Sequence, residues 1–225
     1  MNIGRAFTFI FDDRDWLNKI IIVVIFTFAA IVFSPVLFGL AAWAILFGYQ
    51  LDIIRTFLYD DPTPLPAWND FGRLLVNGAG MLIAYFVYML PNAFAGAFTW
   101  LVTAASGDTS IVSGGVSIGV ACCLFPILLV YNLVAMPMFT IAQGRYAEEG
   151  RLGIFFQFGA LFDTLRTHLN DVIQWWIGTI IALFVLSFLM AIPCLGWLAA
   201  SALMIPVLGA ISGMFAANIA KRTNG

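Results

Sequence analysis

Residues Val172 to Ala220 read VIQWWIGTIIALFVLSFLMAIPCLGWLAASALMIPVLGAISGMFAANIA, 49 residues without a charge. As one straight helix this run would extend roughly 73 Å at ~1.5 Å per residue, more than twice the ~30 Å hydrocarbon core of a bilayer. Ile192-Pro193-Cys194-Leu195-Gly196 interrupts it near its middle, so the run divides into two membrane spans.

The rest of the chain repeats this pattern. Ile20 to Leu51 is a second uncharged run of 32 residues, Leu74 to Gly107 a third of 34, and Thr109 to Gly144 a fourth of 36. All 10 Lys and Arg residues lie between the runs, in Arg5 to Lys19, Arg55 to Arg73, Arg145 to Arg166 and Lys221 to Arg222. With 62% hydrophobic residues, 10% charged residues and a formal charge of −2, the composition is that of a membrane bundle. No basic cluster points to nucleic acid. Asp12, Asp13 and Asp15 precede the first apolar run, which argues for an uncleaved anchor in place of a cleavable signal peptide.

Pro35 divides the first run into spans of about 17–33 and 37–56. In the middle region, Pro91-Asn92 and Ser106 to Ser110 set spans of about 72–91 and 115–136, with a connection that is open to a re-entrant or interfacial path. The expected fold is therefore an all-α integral membrane protein. It has six short transmembrane helices in three hairpins, with helix breaks at Pro35, Pro91 and Pro193. Residues 1–225 form a single transmembrane domain with hairpin units of about 1–58, 59–144 and 145–225. Six spans place every Lys and Arg on one face. The positive-inside rule then puts both termini, and the loops around residues 60 and 160, in the cytoplasm, with Asp108 opposite, in the inner (cytoplasmic) membrane.

Trp16, Trp68, Trp175 and Trp176 sit where spans begin and are expected as interfacial anchors, whereas Trp43 falls inside a span and is expected between helices. Phe155, Phe158, Phe162, Leu165 and Leu169 recur at helical spacing and describe the apolar face of an amphipathic interfacial helix on the cytoplasmic side. Its alternative role is a lid on the protein's own spans. Asn69 or Asp70 marks a helix start after the proline-stiffened segment Asp60 to Pro66.

Each hairpin is entered past Trp and broken at Pro, which suggests parallel repeats about the membrane normal. The chain also resembles an uncharacterised family of multi-pass prokaryotic membrane proteins, domain of unknown function number four thousand and thirteen. The resemblance rests on Phe7-x-Phe9-x-Phe11 with Asp15-Trp16 and Lys19, then Gly48-Tyr49 leading to Arg55, then Leu65-Pro66-Ala67-Trp68-Asn69-Asp70-Phe71-Gly72 with Gly78, and Pro91. Where this chain has Ala67 the family usually has an acidic residue. The resemblance implies a prokaryotic source and an integral membrane location, and no activity.

Catalytic chemistry finds little to work with. His168 is the one histidine, and Cys122, Cys123 and Cys194 lack metal-ligand spacing, so no catalytic residue, metal or cofactor is expected. No charge lies inside a span, which argues against an ion-coupled carrier. Lys19, Asp52 and Arg55 sit at span ends, where snorkelling would satisfy them. Asn92, Asn132, Gln174 and Asn218 are expected in interhelical hydrogen bonds, and Gly115-x-x-x-Gly119 and Gly209-x-x-x-Gly213 in close helix packing. The expected function is a non-catalytic accessory or scaffold subunit, partnered by the lipid bilayer and by other integral membrane proteins or a second copy. The alternative is a passive permease or lipid-handling transporter.

Overall fold

A computed structural model describes residues 3–34, 37–61, 65–105, 110–192 and 196–223. Two short elements come first, α1 (Arg5–Thr8) and a 3-10 turn over Phe9–Asp12. The long helices α2 (Trp16–Val32), α3 (Leu37–Leu58), α4 (Phe71–Ala105) and α5 (Ser110–Glu149) follow. A second 3-10 turn over Leu152–Phe156 leads into α6 (Phe158–Thr167), α7 (Leu169–Met190) and α8 (Gly196–Thr223). Every regular element among the described residues is helical, as the apolar run lengths require.

Among the described residues, five helices are long and apolar enough to cross a membrane: α3, α4, the Ile118–Glu149 part of α5, α7, and the Gly196–Arg222 part of α8. The segments Arg5–Asp12 and Trp16–Val32 meet at a bend of 114° and pass the same test only as a pair.

The middle region departs from expectation. The anticipated break at Pro91, and the wandering connection after it, are replaced by an α4 of 35 residues that continues through Pro91. The proline ring removes one backbone bond and crowds the carbonyls a turn upstream. The carbonyl so freed is that of Val87, and one residue on, the Tyr88 carbonyl accepts a hydrogen bond from the Tyr131 hydroxyl of α5 at 2.8 Å. Support of this kind from a neighbouring helix is what lets proline persist in apolar helices. Pro126 and Pro137 likewise lie inside α5, and Pro206 inside α8. Pro35 and Pro193 lie outside the described residues, as do Asp108 and Cys194.

The core forms around α3, which packs on α2, α4, α5 and α8. Close approach explains two glycines there. A Cβ at Gly78 would collide with the Ala44 carbonyl, and one at Gly48 with the Leu74 carbonyl, so α3 and α4 touch backbone to backbone. Gly209 and Gly213 do the same for α8, since added methyls would meet Ile53 Cγ2 at 3.2 Å and Phe57 Cβ at 2.8 Å. The Gly115-x-x-x-Gly119 pair differs: nothing lies within 4 Å of either position.

That contrast follows from helix length. Ala44 lies level with Gly78 and Gly48 with Leu74, so Leu37, where α3 begins, lies near the level of Tyr85. Beyond it α4 runs on without α3 beside it. Phe94, Phe98, Trp100 and Leu101 of α4 are accordingly exposed, together with Ile118, Phe125, Ile127 and Val130 of α5.

Candidate functional site

The charged residues gather where the starts of α2, α4 and α7 meet the ends of α3, α5 and α8. Asp52, only 7% exposed, is the hub. It lies one turn before Arg55 on α3, and Arg55 Nη1 donates to its Oδ1 at 2.9 Å. Arg73, at the start of α4, adds a two-pronged pair, Nη1 to Oδ1 at 2.9 Å and Nη2 to Oδ2 at 2.7 Å. Arg55 Nε also donates to the Ala147 carbonyl of α5 at 2.9 Å. The Asp70 carboxylate caps α4 by accepting the Arg73 backbone N–H at 3.0 Å, the helix start read from the sequence. Charge-assisted bonds of this geometry offset the desolvation of a carboxylate that would be costly if left alone.

Three further ion pairs extend the cluster. Lys19 Nζ donates to Asp13 Oδ2 and to the Leu65 carbonyl, both at 2.7 Å, tying the start of α2 to the segment before α4. Burial pushes the Asp13 carboxyl up, but the Lys19 hydrogen bond and charge, with the Asp15 backbone N–H at 2.8 Å, outweigh it and hold the group below its ordinary 3.8. Arg222 Nε lies 3.5 Å from Asp171 Oδ2, and Lys221 lies 3.8 Å from Asp60, so the end of α8 is held to the start of α7 and the end of α3. Arg145 Nη2 donates to Thr164 Oγ1 of α6 at 2.6 Å. Lys19, Asp52 and Arg55, read from the sequence as span-end residues satisfied by snorkelling, are each paired within the protein. The signal in the sequence was the Asp52 to Arg55 spacing, with Arg73 opening the next apolar run.

A second polar group lies deeper. Asn92 and Asn132 exchange amide hydrogen bonds at 3.1 and 2.8 Å between α4 and α5, the interhelical role expected of them. Beside them the Tyr88 hydroxyl donates to the Phe155 carbonyl at 2.9 Å. These hydrogen bonds join α4 to α5 and to the 3-10 turn over Leu152–Phe156. Along α7, by contrast, Trp175 Nε1 and Thr179 Oγ1 lie four residues apart on a buried face, and neither has a hydrogen-bond partner among the described residues; Asp171 Oδ2, a turn earlier, has the Arg222 ion pair. Among those residues no group of His, Cys, Asp and Glu is arranged to hold a metal ion.

The expected anchors divide. Trp16 is half-buried, edge-on to Phe11 at 5.0 Å, and Trp176 is half-buried with its indole N–H donating to the Leu133 carbonyl at 3.3 Å. Trp175 is turned inward, 7% exposed and 6.1 Å from Phe215 of α8, so it is a core residue and not a headgroup anchor. Trp68 is stacked between Tyr49 at 4.1 Å and Phe26 at 5.6 Å, closing the start of α4 onto α2 and α3. Trp43 packs on Phe47 at 6.4 Å.

The five residues of the amphipathic face do not share one helix. Phe155 belongs to the 3-10 turn and is fully buried, whereas Leu169 opens α7 and is exposed. Within α6 the apolar arc is real but is shared between two environments. Leu161 and Leu165 are buried against the bundle, and Phe158 and Phe162 beside them are exposed. A sequence spacing cannot separate these two halves, because they occupy one continuous arc of the wheel.

An all-helical bundle with about five membrane-crossing helices, and its charges gathered at the helix ends, defines a multi-pass membrane protein. The family model for the protein of unknown function DUF4013 matches residues 24–195, and the chain belongs to that family. Neither a curated protein nor a solved structure shows a significant match to the chain.

Proposed function

We propose that the protein is a non-catalytic accessory or scaffold subunit of the cytoplasmic membrane that packs against other integral membrane proteins or lipid. In this reading α2 acts as a sixth span and the spans form three hairpins. Both termini and α6 lie on the cytoplasmic side, with Phe158 and Phe162 entering the membrane interface. The observation that carries the reading is the exposed apolar flank of α4 and α5 beyond the start of α3, where Phe94, Phe98, Trp100 and Phe125 are all exposed among the described residues. An open cleft of about 450 Å³ between α2 and α3, lined by Phe26, Phe33, Phe38 and Ile45 among others, supports it by offering an acyl chain an apolar groove.

A photo-crosslinking residue placed at Phe98 or Phe125, in cells expressing the protein at native level, is expected to capture a discrete protein or a second copy. Capture of lipid alone at both positions would reduce the role to lipid organisation. A second reading, a passive permease, draws on Trp175 Nε1 and Thr179 Oγ1 of α7, which have no hydrogen-bond partner among the described residues. Solute flux in liposomes that is abolished by Thr179→Val or Asn132→Leu would replace the accessory reading with that one.

A further inference from the structure

The end of the bundle holds a cleft that the ion-pair cluster does not use. It measures about 170 Å³ and is lined by Leu58 of α3, Ile141, Arg145 and Glu148 of α5, and Ala216 and Ile219 of α8. Its floor is set by the close approach of α5 to α8 at Gly144, where an added methyl would lie 2.6 Å from Ala216 Cβ. The space exceeds the ~30 Å³ that one water occupies in the liquid.

The two charges in its wall are opposite, and they do not meet. Arg145 and Glu148 lie one turn apart on α5, ~4.5 Å along the axis, yet form no ion pair with each other. Arg145 is half-buried and spends one N–H on Thr164 at 2.6 Å, which leaves most of its five donors for another acceptor. Glu148 has no ion pair or hydrogen bond among the described residues. Asp13, Asp52 and Asp171 nearby, by contrast, are each paired with a cation.

We propose that this cleft binds the headgroup of a zwitterionic phospholipid bearing a primary amine, with the phosphate on Arg145 and the ammonium on Glu148. The inference rests on the membrane reading and not on the accessory role. An anionic headgroup would place its charge beside Glu148, whereas separated positive and negative groups match both walls. A primary ammonium has N–H donors for the carboxylate. A quaternary one is recognised by aromatic rings, and the cleft lining contains none. Ile141, Leu58 and Ala216 then face the glycerol and the first acyl carbons, and Gly144 keeps room for them.

The test is native mass spectrometry of the full chain in mild detergent with equal amounts of phosphatidylethanolamine, phosphatidylcholine and phosphatidylglycerol. The wild type is expected to retain phosphatidylethanolamine in preference to the other two. Glu148→Gln should lower its ratio to phosphatidylcholine by about tenfold, as the loss of one charge-assisted hydrogen bond implies. Arg145→Gln should release all three lipids, and Glu148→Lys should shift the preference to phosphatidylglycerol. Glu149→Gln, whose carboxylate pairs with Arg151, should leave the preference intact. Equal retention of the three lipids by the wild type overturns the proposal, and so does an unchanged preference in Glu148→Gln. Soluble phosphoethanolamine is expected not to compete; displacement of the lipid by it would assign the cleft to a free metabolite instead of the bilayer.

Discussion

Asp52 carries more of the charged end than any other side chain, because one carboxylate receives both Arg55 and Arg73. Asp52→Asn removes the charge and leaves two guanidinium groups facing an amide. The expected loss is about 1–3 kcal/mol, below the ~3–5 kcal/mol of a fully buried pair because the Arg73 side chain is 43% exposed. Thermal unfolding in detergent, followed by tryptophan fluorescence, measures it. Asp13 gives a pH signature. Its folded pKa lies below the ordinary 3.8, so its contribution is fully present above that value and is lost as pH falls through the folded one. The stability gap between wild type and Asp13→Asn should therefore be constant from neutral pH to about pH 5, and should close only below the unfolded-state pKa of about 3.9. A gap that closes near neutrality would contradict the Lys19 pairing. At this scale the sequence was informative about charge position but not about partners. Asp13, Asp52 and Asp171 all precede or end apolar runs, and nothing in a one-dimensional pattern says that Arg73 reaches back 21 residues to Asp52.

Among the elements, helix pairing depends on where backbones touch. Gly78→Ala forces a methyl into the Ala44 carbonyl and must push α3 and α4 apart, whereas Gly115→Ala points into open space and gains helix propensity. The first should cost upwards of ~2 kcal/mol, as overpacking does, and the second should be neutral or stabilising by up to ~1 kcal/mol. Melting temperatures of the two variants in one detergent decide the matter, and equal effects would mean that the α3 to α4 contact is misassigned. The apolar runs made the helices legible, and the Asp70 cap fixed the start of α4. Proline misled: Pro91 reads as a stop by the rules of a soluble helix, but Tyr131 and the Asn92 to Asn132 pair support the chain on either side of it. The spacing of Phe155 to Leu169 misled for another reason, since the chain turns twice in that interval, at Gln157 and at His168.

For the molecule as a whole, ion pairs join the ends of α3, α4, α7 and α8, and hydrogen bonds from Arg55 and Lys19 add α5 and α2 to the same charged end. With Cys122, Cys123 and Cys194 replaced by Ala, single cysteines at positions 61 and 148 should resist an impermeant maleimide in intact cells. Cysteines at 100 and 197 should react, and the reverse pattern would invert the proposed topology. The unequal lengths of the helices have a consequence for the membrane itself. At ~1.5 Å per residue, α3 spans roughly 33 Å and α4 roughly 52 Å, against a hydrocarbon core of ~30 Å. In a bilayer such a hydrophobic mismatch is absorbed by tilt of the longer helices and by local thickening of the lipid around them. The α2 to α3 side therefore suits thin membrane and the α4 to α5 side thick membrane. A body shaped in this way is drawn to the seam between two bilayer thicknesses, and in phase-separated vesicles it should collect along the boundary line in preference to either domain.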